Sequence, residues 1–399
     1  MLKILFLSIN FSIFITYPIL WGVTIREGII WRADFTAFYT GTVVAWKAPY
    51  GQLYDFATQT QYQQAMLNGQ SFADGVLPFI NPPYVALLLS PFVGLSLSQA
   101  YFAWAVIQII VLGIIVGMVW KLCRLWQPLD RLLAISTILA LPSLLSSLML
   151  GTFSLLLTLA VLGLYVSIRQ QHSLRSGLAL VASSIKPQLI ILPALAVVGQ
   201  RQWRSLAVGV IGALLIFLGT SAWFGWAIWG DYLQTVSLIN NSQNRYGVNP
   251  GNMYNLKGML TNLLGEERHS LSATLSNLGF GLSLCAGLWI WRKPLPIASS
   301  QFSLRFGLST LLGLLFNPHL NAHDAMLVIV SGIIVALHLY TDPQRKPLLA
   351  GLVVWPLLSL IGEFLLKDAL LIRIPSMLML ALLVWLIREI RRTPLSRTI

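Results

Sequence analysis

Hydrophobic positions fall in long runs along the chain, separated by short stretches where charge, proline and glycine gather. A helix needs roughly 20 apolar residues to cross the hydrocarbon core of a bilayer. Runs of that kind predict twelve crossings, at roughly 3–23, 99–120, 131–149, 152–168, 174–186, 188–200, 205–224, 272–291, 302–317, 323–340, 347–366 and 369–388. The expected fold class is an all-α polytopic membrane protein. Ser173 to Gly199 could also form one long helix. Arg169 and Arg175 before it and Arg201 and Arg204 after it argue that the chain returns to the side it left. Lys186-Pro187 at the midpoint supplies the turn, because proline breaks the helical ladder. Two half-spanning helices buried among neighbours satisfy that geometry. The first run has only Lys3 ahead of it and no small-residue cleavage site after it, so it reads as an uncleaved helix and not a signal peptide.

The pattern divides the chain into a first helix (1–23), a long loop (24–98), a helical bundle (99–224), a second long loop (225–271) and a last set of helices with a short basic tail (272–399). In the first loop, 35–46 and 55–67 read as helices lying at the membrane interface. Phe35, Phe38, Tyr39, Trp46, Tyr50, Tyr54, Phe56 and Tyr62 supply the aromatics that favour that depth. The apolar stretch 77–96 is short for a span and reads as a re-entrant or surface helix that starts after Pro82-Pro83. In the second loop, 242–258 is rich in Asn and Gly, as in an ordered, polar, irregular segment.

Composition agrees with the pattern. Of 399 residues, 56% are hydrophobic and 10% charged, against about 25% charged in soluble proteins. The net charge of +13 raises nucleic acid as a partner, and topology accounts for it instead. With the N-terminus cytoplasmic, 17 basic residues, from Lys3 through Arg345 and Lys346 to Arg397, face inward against Asp130, Asp342 and Glu389. That leaves nine of the 26 basic and ten of the 13 acidic residues for the other side, a strong positive-inside bias. Both termini are expected in the cytoplasm. Cys123 and Cys285 fall on the cytoplasmic side and inside a helix, where neither suits a disulfide, and no metal-ligand spacing is present. There is no Gly-rich phosphate loop and no dinucleotide fingerprint, so chemistry is expected outside and fed from the membrane.

An ionisable group near membrane depth is costly and so draws a functional hypothesis. Four places qualify, all on the outer side. Asp34 stands between Arg32 and the aromatics Phe35, Phe38 and Tyr39, where it can act as a base toward a hydroxyl arriving from water; the structural alternative is an interfacial pair with Arg32. Lys186, ahead of Pro187 and Gln188, can present an ammonium to a lipid phosphate or snorkel to the interface. The turn Asn317 to Asp324 crowds His319, His323 and Asp324 together, suited to phosphate or hydroxyl contacts, or to a plain helix cap through Asp324 or Asn321. Arg245-Tyr246 with Lys257 reads as a solvated basic loop when taken alone. Together these groups suit a pocket for a phosphorylated substrate, with guanidinium and ammonium groups holding the phosphate.

Asp34 with Phe35 and Tyr39, the Gly51-x-x-Tyr54-Asp55 pair, and Asn81-Pro82-Pro83 with Pro91 resemble glycosyltransferase family 87. So do Lys186-Pro187-Gln188 with the Arg-Gln-Trp-Arg turn at 201–204, and Asn317-Pro318 with His323. The resemblance spans about 30 to 340. It implies a GT-C fold, a bacterial inner-membrane location and an extracytoplasmic active site. The implied donor is a polyprenyl-phosphate sugar, with a mannose- or arabinose-like sugar passing to a glycolipid or polysaccharide acceptor. Carried over, Asp34 matches the catalytic base, Lys186 a lysine near the donor phosphate, and His323 a histidine of the late external turn. Where the family often shows Gly-Gln-x-Asn in the short second external loop, this chain has Gly151-Thr152-Phe153-Ser154. The expected reaction is an inverting transfer with no cofactor and no metal. Lys186, His323, Arg245, His319 and Tyr246 are expected at the donor, and Tyr39, Asn81, Tyr84, Gln188 and Asp324 at the acceptor or pocket wall. The rival readings are a lipid-linked glycan transporter or flippase, and a polysaccharide polymerase or ligase.

Overall fold

The computed structural model describes every residue except 243–244, 343, 367–368 and 396–399. Arg397, Lys367 and Asp368 of the charge pattern, and Gln243 and Asn244 of the second loop, lie outside the described residues. The chain runs through α1 (Leu2–Arg26), α2 (Asp34–Lys47), α3 (Phe56–Met66), α4 (Val85–Leu88), α5 (Leu97–Leu122), α6 (Pro128–Leu139), α7 (Pro142–Leu150), α8 (Ser154–Arg169), α9 (Ser173–Ser183) and α10 (Pro187–Gly199). It continues through α11 (Trp203–Phe224), α12 (Ile228–Asn241), α13 (Leu256–Leu264), α14 (His269–Ile290), α15 (Ser300–Leu315), α16 (Val328–Tyr340), α17 (Leu349–Val353), α18 (Trp355–Phe364) and α19 (Ile374–Arg392). Among the described residues there is no strand, only the isolated bridges Phe72–Gly75 and Arg245–Val248.

Six stretches are long and apolar enough to cross a membrane, seven if α6 and α7 count as one span bent by 48°. The bend follows from Leu141-Pro142, since the residue before a proline is pushed out of the helical region. The other five expected crossings fall on α8, α9, α10, α15 and α19, which do not meet that standard, so twelve full spans is more than length and composition support. The segment 174–200 is two helices. Lys186 sits in a non-helical conformation and Pro187 opens α10. At 11 and 13 residues, α9 and α10 reach about 17 and 20 Å at 1.5 Å per residue, well short of the core thickness. The expected surface helix after Pro82-Pro83 is the short α4. The polar 242–258 stretch is bracketed by α12 and α13.

The centre of the bundle is α15 and α16. Every residue of α15 except Arg305 is buried, and almost all of α16 is too; α16 is apolar nearly all round, and α15 buries Ser and Thr hydroxyls among its apolar side chains. Small residues let neighbours approach: the Ser331 hydroxyl donates to the Gly307 carbonyl at 2.8 Å, and Gly313 lies against the Leu189 carbonyl. By contrast α1, α11 and α14 bury little and present Leu, Ile and Trp outward, where lipid would cover them. A second, aromatic cluster gathers Phe35, Tyr39, Phe79, Tyr101, Trp104 and Phe153 under α2 at one end of the bundle. The site rests on that cluster.

Candidate active site

Asp34 is the first residue of α2, and its neighbours fix it from below. The Thr36 hydroxyl donates to the Trp31 carbonyl at 2.9 Å, and Phe35 stacks on Tyr39 and meets Tyr101 edge-on. Gly151 closes α7 with φ +64°, and a Cβ there would come within 2.7 Å of the Phe35 Cβ. Only a residue without a side chain allows α7 to end this close to α2. The result is a carboxylate on a packed helix start, one-third exposed (33%) on the open side.

On that side lies a cavity of about 770 Å³, including its open mouth. Asp34, Asn81, Lys186, Gln188, Tyr246, His319 and His323 all line it, with Tyr232 and Asn321 completing the polar wall. Residues from five separate parts of the chain thus meet in one place. His323 Nδ1 is 3.7 Å from Asp34 Oδ2, and its Nε2 is 3.6 Å from Asp324 Oδ2. Asp324 Oδ1 accepts from the Lys186 ammonium at 2.6 Å and from the Ser154 hydroxyl at 2.8 Å. Asp34, His323, Asp324 and Lys186 therefore follow one another in space from the exposed carboxylate to the cation, each within 3.7 Å of the next.

Four expected site residues stand elsewhere. Asp324 is fully buried behind Lys186 and does not line the cavity; it is not the helix cap either, and Asn321 at the cap position makes no side-chain capping bond. Tyr39 is buried, its hydroxyl within 2.8 Å of the Phe92 carbonyl and 2.7 Å of the Leu95 carbonyl, which makes it a structural tie. Tyr84 pairs with the Ser184 hydroxyl at 2.7 Å beside the break before α10, and burial pushes its phenol up to about 12. Arg245 is 66% exposed and pairs at 3.7 Å with Asp74, whose other oxygen takes the Tyr246 N–H at 2.7 Å. The alternative Asp34–Arg32 pair is replaced by His323 as the ionisable neighbour of Asp34.

Lys257 departs from the expectation in the opposite direction. The solvated-loop reading suits Arg245 and fails for Lys257, which is 6% exposed. It lies in the first turn of α13, capped by Asn255, whose Oδ1 accepts from the Gly258 N–H and whose Nδ2 donates to the Asn317 carbonyl at 2.7 Å. The Tyr254 N–H donates to the Leu320 carbonyl at 3.2 Å, so the start of α13 is docked on the turn that carries His319. Burial first, then the Lys186 charge, and more weakly Lys257, hold His319 down to about 4. Burial also lowers the Lys257 ammonium. The sequence carries one signal for it: a lysine in the first turn of a helix opposes the helix dipole and needs a reason.

An all-helical membrane bundle with a polar, charge-lined cavity at one end is the class that fold and site define. The model of glycosyltransferase family 87 matches residues 79–318, more than half the chain, and the protein belongs to that family. It is a membrane glycosyltransferase. No curated protein and no solved structure matches the chain. The matched stretch holds Asn81, Lys186, Gln188, Tyr246 and Lys257; Asp34, His319 and His323 lie outside it and join the site through the fold.

Proposed function

We propose that the protein transfers a sugar from a polyprenyl-phosphate donor to a hydroxyl of a glycolipid or glycan acceptor, with inversion, on the extracytoplasmic face. The observation that carries this reading is the cavity itself, which puts an accessible carboxylate, Asp34, within reach of the same space as Lys186, His319 and His323. The absence of a nucleotide-binding signature, together with a membrane-embedded frame, favours a lipid-carried donor over a soluble sugar nucleotide.

Asp34 removes the proton from the acceptor hydroxyl as that oxygen bonds to the anomeric carbon. The bond from that carbon to the phosphate oxygen breaks on the opposite face, and the phosphate leaves with the electron pair. A phosphate ester leaves as a stabilised anion, so the step calls for positive charge near its oxygens and not for a metal. The proton on Asp34 then passes toward His323, whose Nδ1 faces it. A positioned general base is worth about 10²–10⁴-fold. Purified protein incubated with a membrane glycolipid extract as acceptor and with mannosyl-, glucosyl- or arabinosyl-phosphate polyprenyl lipids should release polyprenyl phosphate, and glycosylate the extract, with at least one of them. Asp34→Asn should lower that rate by about 10²–10⁴-fold while leaving donor binding intact. Full turnover in the variant would remove Asp34 from the reaction.

A further inference from the structure

A second cavity lies on the other side of the turn that carries His323. It measures about 1540 Å³ including its open mouth, twice the roughly 770 Å³ of the cavity at Asp34. The two share no lining residue: Asn321 and His323 face the first, Ala322 and Ala325 the second. Its walls come mainly from α1, α7 and α18. Exposed Leu20, Phe364 and Leu365 belong to its lining, so the opening meets the lipid-facing surface. The rest is apolar apart from hydroxyl groups and one carboxyl, and two of these polar groups lack a partner. Ser359 is 3% exposed, and its Oγ makes no hydrogen bond; Glu363 Oε1 is buried and makes none either. Four positions apart on α18, they share one face, about 6 Å from each other along the axis. A buried polar atom without a partner costs free energy, and an ionisable group near membrane depth more so. No Lys, Arg or His lines this cavity, so nothing in its wall balances a phosphate.

We propose that this cavity binds an uncharged lipid whose head carries hydroxyl groups, an acylglycerol or an alkyl glycoside. The head hydroxyls donate to Glu363 Oε1 and accept from the Ser359 hydroxyl, which satisfies both groups at once. An ammonium head fits less well. It has no acceptor for the Ser359 proton, and the phosphate that accompanies it in a membrane lipid would meet no cation here. The chain lies between α1 and α7, against Leu20, Leu145 and Met149. The cavity is separate from the space in which the sugar is transferred, so the proposal does not depend on the transferase reading.

The test uses the full chain in lauryldimethylamine oxide, a detergent without hydroxyls, and reads bound lipid by native mass spectrometry. The probes are monooleoylglycerol, oleyl glucoside, methyl oleate and oleoyl lysophosphatidate. Wild-type protein should bind one of the first two at least about tenfold more tightly than either of the others. Whichever of the two binds more tightly tells a glycerol head from a sugar head. Glu363→Leu should erase the preference, and Ser359→Ala should cut it by about threefold. Ser146→Phe, which fills the cavity from α7 and leaves both polar groups in place, should weaken the hydroxylated probes by about tenfold. If Glu363→Leu does not fold, the other two variants still decide. Wild-type protein that binds methyl oleate as tightly as the hydroxylated probes overturns the proposal, as does a preference for lysophosphatidate. So does an unchanged preference in the Glu363 or the Ser359 variant, or unchanged binding in Ser146→Phe. Asp34→Asn should bind every probe as wild type does; a loss there overturns the assignment to this cavity.

Discussion

Both ends of the bundle bury charge, and they treat it differently. At the end that carries Lys3, Asp130 is met by Lys3 at 2.6 Å, by the Tyr340 hydroxyl at 2.9 Å and by Lys346 at 3.5 Å. Beside it, Glu389 accepts from His338 at 2.9 Å and from Arg345. Each carboxylate there is closed by at least two partners. At the Asp34 end, among the described ionisable residues of the Asp34–His323–Asp324–Lys186 series, only the Lys186–Asp324 contact is closed. The separations from His323 to Asp34 and to Asp324 are 3.7 and 3.6 Å, beyond direct hydrogen bonding; Asp324 Oδ2 has no hydrogen-bond partner, and Lys257 has none among the described residues. Closed pairing locks helices together. Open pairing leaves capacity for a substrate, and that difference, more than the mere presence of buried charge, marks the site.

Matched substitutions at the two ends give the largest contrast. Asp324→Asn removes the charge that orients Lys186 and faces His323 Nε2, while keeping the shape of the side chain. A misplacement of about 1 Å at a reacting centre can cost about 10²-fold, so turnover should fall by about that factor or more. Asp130→Asn should leave turnover near wild type and lower stability by about 1–2 kcal/mol, because Lys3 is half exposed and its charge is partly screened. Measuring kcat and melting temperature for both variants decides the matter. A catalytic loss at Asp130 equal to that at Asp324 would erase the distinction between the two ends.

Much of the frame can be read from the chain because its signals are local. Pro187 and Pro142 each open a new helix after a break, while Pro18 and Pro193 stand inside helices, and Ser96 with Gln99 forms a capping box at the start of α5. Aromatic density around Asp34 announces a packed helix start. Hydropathy marks twelve apolar runs where six or seven stretches meet the length and composition of a full span, because it is blind to length after a break; α8 and α10 are apolar but short. The wiring of the site is not legible in the same way. Lys186 and Asp324 are 138 positions apart, and adjacent residues such as His323 and Asp324 look alike in sequence although one lines the cavity and the other backs it. Lys257 misleads for the same reason: a lysine in a polar loop is ordinarily solvated, and only the docking of α13 on the 317–321 turn buries it.

Backbone crowding sharpens the comparison on a smaller scale. Gly151→Ala would force a Cβ toward Phe35 and demand a left-handed backbone of a residue that resists it, at about 1–2 kcal/mol for the backbone alone. Phe35 adjoins Asp34, so turnover should fall by about tenfold as well, through displacement of the base. A Cβ added at Gly117 in α5 would meet no atom within 4 Å, and Gly117→Ala should be neutral or stabilising by up to about 1 kcal/mol. Equal effects at the two glycines would mean that the α7 to α2 contact does not position the carboxylate.

The pH-dependent effect concerns His319, and its sign follows from the direction of its shift. Folding lowers its pKa from 6.5 to about 4, through burial and the nearby lysines. Below pH 6.5 the unfolded chain therefore takes up a proton that the folded protein refuses, and stability falls as pH drops from 6.5 toward 4. Other groups titrate in that range, so the informative quantity is the difference between wild type and His319→Gln in melting temperature from about pH 7.5 to 4.5. The variant should lose less on acidification. A phosphate bound beside His319 would favour its protonation, and farnesyl phosphate should narrow the gap between the two curves. No counterpart to this is expected at the Lys3 end, where the buried charges already have their partners and added phosphate should change nothing. If wild type and His319→Gln superimpose across the range, burial does not hold the His319 ring down, and the cavity wall at the 317–321 turn is open to water.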